Sequence, residues 1–136
     1  MRLIGLDVGE RRIGVALSDP LGKTAQPLET VARDDASVRW LADLVGETGA
    51  ETIVVGLPLL LDGSEGKQAA LVRQFADELA RAVEVPVVFT DERLTTRQAE
   101  GVLASGKVKR GKRREATDRI AAALILRSYM DGLPEG

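Results

Sequence analysis

The 136-residue chain contains no cysteine and no histidine. Without thiols there is no disulfide framework, no thiolate nucleophile and no cysteine-ligated zinc. Without imidazole there is no histidine general base, no Ser-His-Asp triad and no ordinary zinc hydrolase. Catalysis, if present, must run on carboxylates, lysine, hydroxyls or a metal ion held by oxygen ligands. Aromatic residues make up 3% of the chain, which argues against reading single strands by stacking bases on rings. Trp40, Phe75 and Tyr129 fall at helical positions and read as core. No apolar run approaches the ~20 residues that cross a bilayer, and Asp7 interrupts the N-terminal apolar run far short of a signal segment. A cytoplasmic protein with no membrane partner is expected.

The length suits one domain over residues 1–136 built on one core. The net charge of −2 argues mildly against a dedicated nucleic-acid binder. The average hides two basic clusters, however: Arg11 and Arg12 near the start, and Lys107, Lys109, Arg110, Lys112, Arg113 and Arg114 together. Patches of this kind, more than totals, steer a polyanion.

Along the chain, Arg2 to Val8 reads as a strand, Gly9 to Arg12 as a turn, and Ile13 to Ser18 as a second strand of an antiparallel hairpin. A third short strand is expected near Leu28 to Ala32. Asp34, Asp35 and Ser37 are cap candidates for a helix carrying Val38, Leu41, Leu44 and Val45. Thr52 to Leu57 is continuously apolar, as for a strand covered on both faces. A helix placing Leu71, Phe75 and Leu79 in one row follows, then a fifth strand over Val85 to Phe89. Thr95 to Gln98 fits a capping box opening a helix that ends near Gly106. A last, deeply packed helix is expected over roughly Ala116 to Met130. Three antiparallel strands followed by alternating helices and strands predict an α/β fold around a mixed five-stranded sheet, with two parallel strands and flanking helices.

Three acids stand out, each with a plainer alternative. Asp7 ends an apolar strand, where a carboxylate is costly unless paired or bound to metal; it could equally cap the following turn. Glu92 follows the fifth strand, at the edge where open α/β sheets place ligands, or is a solvated acid paired with Arg93. Asp118 opens the last predicted helix, where the helix dipole alone favours an acid. If the three converge, their repulsion calls for a divalent cation. Oxygen-only ligands suit Mg²⁺ or Mn²⁺, and a pair of such ions can serve phosphodiester hydrolysis without histidine or cysteine.

The order of motifs resembles the YqgF/RuvX family. The blocks are Leu6-Asp7-Val8-Gly9 with Arg12 to Ala16 and Ser18-Asp19, Val55 to Pro58 with Asp62 to Gly66 and Gln68, Asp91 to Thr96 with Ala99-Glu100, and Asp118, Ala121-Ala122 and Leu126 to Tyr129. The resemblance covers nearly the whole chain. It implies an RNase H-like fold related to Holliday-junction resolvases and a nuclease maturing the 5′ end of the small-subunit ribosomal RNA precursor. It also implies that Asp7, Glu92 and Asp118 form the metal site. Leu59-Leu60-Leu61 departs from the family, which often has a polar residue before Asp-Gly-Ser.

The basic run Lys107 to Arg114, broken by Gly106 and Gly111, reads as a mobile arm for a phosphate backbone, or as a solvated loop. Arg11, Arg12 and Arg93 are further candidates for phosphate contact. Gly63, Ser64 and Gly66 precede a helix, where N–H groups can hold a phosphate, but a tight turn with Ser64 as cap accounts for the same residues. The expected partner is structured RNA or branched DNA, with homodimer formation left open. A non-catalytic nucleic-acid-binding module in ribosome assembly is the main alternative. A sugar-kinase-like phosphotransferase is a third, disfavoured because those enzymes close two domains over ATP.

Overall fold

In the computed structural model, which describes residues 1–91 and 110–133, the first strand β1 (Leu3–Val8) is central. Strand β2 (Arg12–Ser18) returns antiparallel beside it, joined by a turn in which the Gly9 N–H donates to the Arg12 carbonyl at 2.8 Å. Strand β3 (Ala25–Ala32) continues the antiparallel meander. Helix α1 (Ser37–Thr48), strand β4 (Thr52–Leu57), helix α2 (Lys67–Ala82) and strand β5 (Val87–Asp91) follow, and helix α3 (Arg110–Asp131) closes the described chain. The sheet order is β3-β2-β1-β4-β5, with β4 parallel to both β1 and β5. This is the mixed five-stranded sheet that the pattern predicts.

Alternation along β1 divides the core in two. Ile4, Leu6 and Val8 join Ile13, Val15, Ile53 and Val55 beneath α1 and α2, with Leu41, Leu44, Phe75 and Leu79 from the helices. Leu3, Ala16 and Val54 face the other way, against Ala122, Ile125 and Leu126 of α3. Small residues let α3 lie close. A Cβ at Gly5 would stand 2.7 Å from the Leu126 Cβ and 2.8 Å from the Ala122 carbonyl oxygen.

Several boundaries differ from expectation. Strand β3 starts at Ala25, opposite Ser18, and tolerates Pro27 beside a bulge at Val15 and Ala16. An edge strand can carry a proline because one side of its backbone need not donate. Strand β5 starts at Val87 and reaches Asp91, since Pro86 has no N–H and contributes its carbonyl to Ile53 instead. In α2 the buried stripe runs Ala69, Val72, Phe75, Ala76 and Leu79, leaving Leu71 exposed. A row of strict fourfold steps drifts around a helix of 3.6 residues per turn, and mixed steps of three and four keep to one face. No side chain caps α1; Ser37 Oγ instead accepts the Asp34 N–H at 2.8 Å and donates to the Ala32 carbonyl at 2.7 Å.

The largest difference is α3, which starts at Arg110 and so takes in the end of the basic run as helix. Arginine and lysine are good helix formers, and a single Gly111 costs only about 1 kcal/mol against alanine. The expected loop therefore does not extend to Arg114. The expected helix from Thr95 lies outside the described residues.

Candidate active site

Asp7 is half-buried and stands on the face of β1 that it shares with Leu3 and Gly5, the face that α3 covers. Across the ladder its partner is Gly14 of β2. Helix α3 passes over that glycine at Asp118: a Cβ on Gly14 would lie 2.0 Å from the Asp118 carbonyl oxygen and 3.0 Å from the Arg119 nitrogen. Asp118, Ala122 and Leu126 recur at fourfold spacing, so they share one helical stripe, and the latter two rest on Gly5. Asp7 and Asp118 thus meet at one glycine, from nearly opposite ends of the sequence.

Arg12 completes this corner. Its Nε donates to Asp118 Oδ2 at 2.7 Å, with the arginine side chain 36% and the aspartate 22% exposed. Partial shielding strengthens such a pair over a surface one and still leaves it open to a ligand. Asp118 lies about two turns beyond the start of α3. The helix dipole fades within the first turn, so the dipole does not account for this acid, contrary to the plainer expectation.

Strand β5 ends at Asp91, and through β4 it is level with β1, with Leu6 opposite Val55 and Val55 opposite Phe89. Glu92 and Arg93, next in sequence, lie outside the described residues, as do Lys107 and Lys109 and the side chains of Arg110, Lys112, Arg113 and Arg114. Among the described residues no group of three or more acids is gathered as a metal site.

Beside the two acids, Gly9, Glu10, Arg11, Arg12 and Gln68 line an open cleft of about 480 Å³. Gln68, from the first turn of α2, donates through Nε2 to Glu10 Oε1 at 3.2 Å. The Gly9 to Arg12 turn is fastened by Arg33. Its Nη1 donates to the Gly9 carbonyl at 2.9 Å, its Nη2 to the Leu71 carbonyl at 3.3 Å, and its guanidinium lies 5.4 Å from the centre of the Phe75 ring. The Arg33 N–H also donates to the Arg11 carbonyl at 2.9 Å. Sequence reading gave Arg33 and Glu10 no role; both act through partners distant in the chain, and no local pattern signals them.

In the loop before α2, the Ser64 N–H and hydroxyl both donate to Asp62 Oδ1, at 2.8 and 2.6 Å, and Gly63 takes a φ of +87°. These are the bonds of a tight turn. Ser64 does not cap α2, whose N-cap is Gly66. Arg73 pins the loop with two bonds to the Glu65 carboxylate and lies 4.8 Å from the centre of the Phe89 ring. The bond from Arg73 holds the Glu65 carboxyl below its ordinary pKa. The motif pair Ser18-Asp19 is also architectural: Ser18 Oγ accepts the Leu3 N–H at 2.7 Å, and Asp19 Oδ1 accepts the N–H groups of Lys23 and Thr24.

The sheet order, with α1 and α2 on one face and α3 on the other, is the RNase H-like fold of resolvases. RuvC of T. thermophilus, solved with a Holliday junction substrate, matches with a TM-score of 0.56 at 18% identity, covering 96% of each chain. The fowlpox virus Holliday junction resolvase matches with a TM-score of 0.56 at 15% identity, covering 98% of this chain and 100% of that one. At these identities the likeness is one of fold. The sequence goes further: the model of the family described as "RuvX: Holliday junction resolvase" matches residues 1–132, and the chain belongs to that family. A relative from Syntrophus aciditrophicus is 50% identical over 137 residues, covering 99% of this chain and 91% of the relative. Another from Moorella thermoacetica is 50% identical over 135 residues, covering 98% and 96%. Both relatives are named as candidate pre-16S rRNA nucleases.

Proposed function

We propose that the chain is a divalent-metal-dependent nuclease that hydrolyses phosphodiester bonds, with Asp7, Glu92 and Asp118 as its acids. Its substrates are the 5′ region of precursor 16S rRNA, branched DNA such as a Holliday junction, or both, in keeping with the names of its relatives. The observation that carries this reading is the convergence of Asp7 and Asp118 on Gly14, on the side of the sheet closed by α3.

The donor set fits Mg²⁺ or Mn²⁺. The acids are hard oxygen ligands in a chain without histidine or cysteine. Asp118 gives Oδ2 to Arg12 and has a second carboxylate oxygen to offer. One ion, or two, would be held by Asp7, Asp118 and Glu92. When bound, it supplies Lewis-acid stabilisation of charge on the phosphodiester oxygens. The chain's own residues do the rest. Arg12 orients Asp118, and Arg11 and Arg12 border the cleft through which a phosphate backbone would reach the acids.

One observation favours the alternative of a binding module. Arg12 already neutralises Asp118, as a protein without catalytic metal would require. Purified protein assayed on labelled precursor RNA and four-way junctions, with and without Mn²⁺, separates the two. Metal-dependent cleavage lost in Asp7→Asn, Glu92→Gln and Asp118→Asn is expected. Cleavage persisting in Asp7→Asn at wild-type rate overturns the site, and metal-dependent binding without turnover favours the module.

A further inference from the structure

We infer that the cleft beside the acids is a ribonucleotide subsite, in which Glu10, held by Gln68, accepts a hydrogen bond from the 2′-hydroxyl of a sugar whose phosphate is held by Arg11 and Arg12. This deepens the nuclease reading and rests on it: the two side chains set how strongly the site prefers RNA to DNA.

Charge carries the argument. Arg11 and Arg12 line the cleft, which suits a phosphate, yet Glu10 lines it too. A carboxylate beside a polyanion is repelled unless the strand presents a hydrogen-bond donor, because an ionised carboxylate only accepts. The sugar-phosphate backbone of DNA carries acceptors alone. RNA adds one donor per nucleotide, the 2′-hydroxyl, which is the group that distinguishes the two polymers at a given site. Gln68 adds to this selectivity. Its Nε2 donates to Glu10 Oε1 at 3.2 Å, which holds the carboxylate in the cleft and leaves a second amide N–H that can donate to the hydroxyl oxygen. Two cations beside an acceptor and an amide donor match a phosphate followed by a hydroxyl. The cleft volume of about 480 Å³ is also in the range of small-ligand sites. Its floor is held by the bonds from Arg33 to Gly9 and Arg11, so the subsite keeps its shape before a strand arrives.

The test measures binding of the full chain to matched RNA, DNA and 2′-O-methyl RNA of one sequence by fluorescence anisotropy. EDTA is present so that binding is read apart from cleavage. Wild-type protein should bind RNA about fivefold to tenfold more tightly than the other two, the worth of one ordinary hydrogen bond at a solvent-exposed site. Glu10→Ala should bring the three affinities together by weakening RNA and strengthening DNA, and Gln68→Ala should narrow the gap in part. Glu10 and Gln68 are both exposed, so the fold should survive, with circular dichroism as the check. An RNA-to-DNA ratio that is the same in wild type and Glu10→Ala overturns the proposal. So does a preference that follows base sequence and ignores the sugar, or a failure to bind either polymer. A parallel cleavage arm with Mn²⁺ keeps the two readings distinct. Absent cleavage with the expected affinity shifts sinks the nuclease reading alone, and cleavage with unshifted affinities sinks the subsite alone.

Discussion

Replacing Gly14 by alanine should damage stability and activity together, for one geometric reason. The added Cβ would stand 2.0 Å from the Asp118 carbonyl oxygen and 2.3 Å from its carbonyl carbon. Both atoms are backbone, so no rotamer change relieves the clash. Helix α3 or strand β2 must retreat by more than about 1 Å to restore ordinary contact. Overpacking of a fitted core costs about 1–3 kcal/mol, and backbone on both sides places this change near the upper end. The gain from a stiffer unfolded chain is about 0.4–1 kcal/mol, leaving a net loss of roughly 2 kcal/mol. For a chain of this size that lowers Tm by about 6–10 °C. The same retreat moves Asp118 relative to Asp7, and a 1 Å misplacement of catalytic groups can cost about 100-fold in rate. Gly46→Ala is the matched control, since a Cβ there meets nothing within 4 Å in α1. It should stabilise by about 0.5–1 kcal/mol and leave cleavage unchanged. Urea melts and cleavage rates on the same preparations decide the matter. A Gly14→Ala protein as stable as wild type would refute the docking of α3 on β2. A destabilised protein with unchanged kcat, assayed where it is folded, would refute the pairing of Asp7 with Asp118 as the reacting site.

Arg12→Gln should cost about 1 kcal/mol, more at low salt, because it breaks a partly shielded charged bond to Asp118; urea melts at two ionic strengths read this, and cleavage should fall as well. Arg33→Ala removes two bonds to main-chain carbonyls and a ring contact. It should destabilise by about 1–3 kcal/mol, with KM for nucleic acid rising because the Gly9 to Arg12 turn loses its anchor. Arg33→Lys, able to reach one carbonyl, should recover part of the loss. The carboxyl of Glu65 lies below its ordinary value of 4.5, chiefly through its bond from Arg73. A depressed carboxylate supports the fold fully above its unfolded pKa, and that support fades as the pH falls through the lower folded value. Urea midpoints of wild type and Glu65→Gln should therefore differ near neutrality and converge below pH 4.5. Parallel curves would show that the pair contributes nothing.

Period alone made most of the scaffold legible. Alternation in β1 and the unbroken apolar run of β4 give strands whose faces the structure confirms, because the direction of successive side chains along a strand is set locally. Boundaries were less legible where a distant partner decides them. Strand β3 begins at Ala25 because Ser18 is there to pair with it, and α3 begins at Arg110 although Gly111 suggests a break.

The candidate site shows the same division more sharply. Asp7 and Asp118 were visible as acids, but what brings them together is Gly14, which as part of a motif reads only as a small residue in a strand. Its meaning depends on a helix more than a hundred residues away pressing a carbonyl against the place where a Cβ would be. The placement of α3 also changes why Asp118 is tolerated. At a helix start the dipole would suffice. Two turns further in, the acid is paired with Arg12, so the charge proposed to face substrate and the charge that holds the acid are the same guanidinium. A phosphate that draws Arg12 away must also loosen Asp118. On the proposed function, substrate binding and the disposition of that acid are linked through one side chain, and Arg12→Gln should alter both.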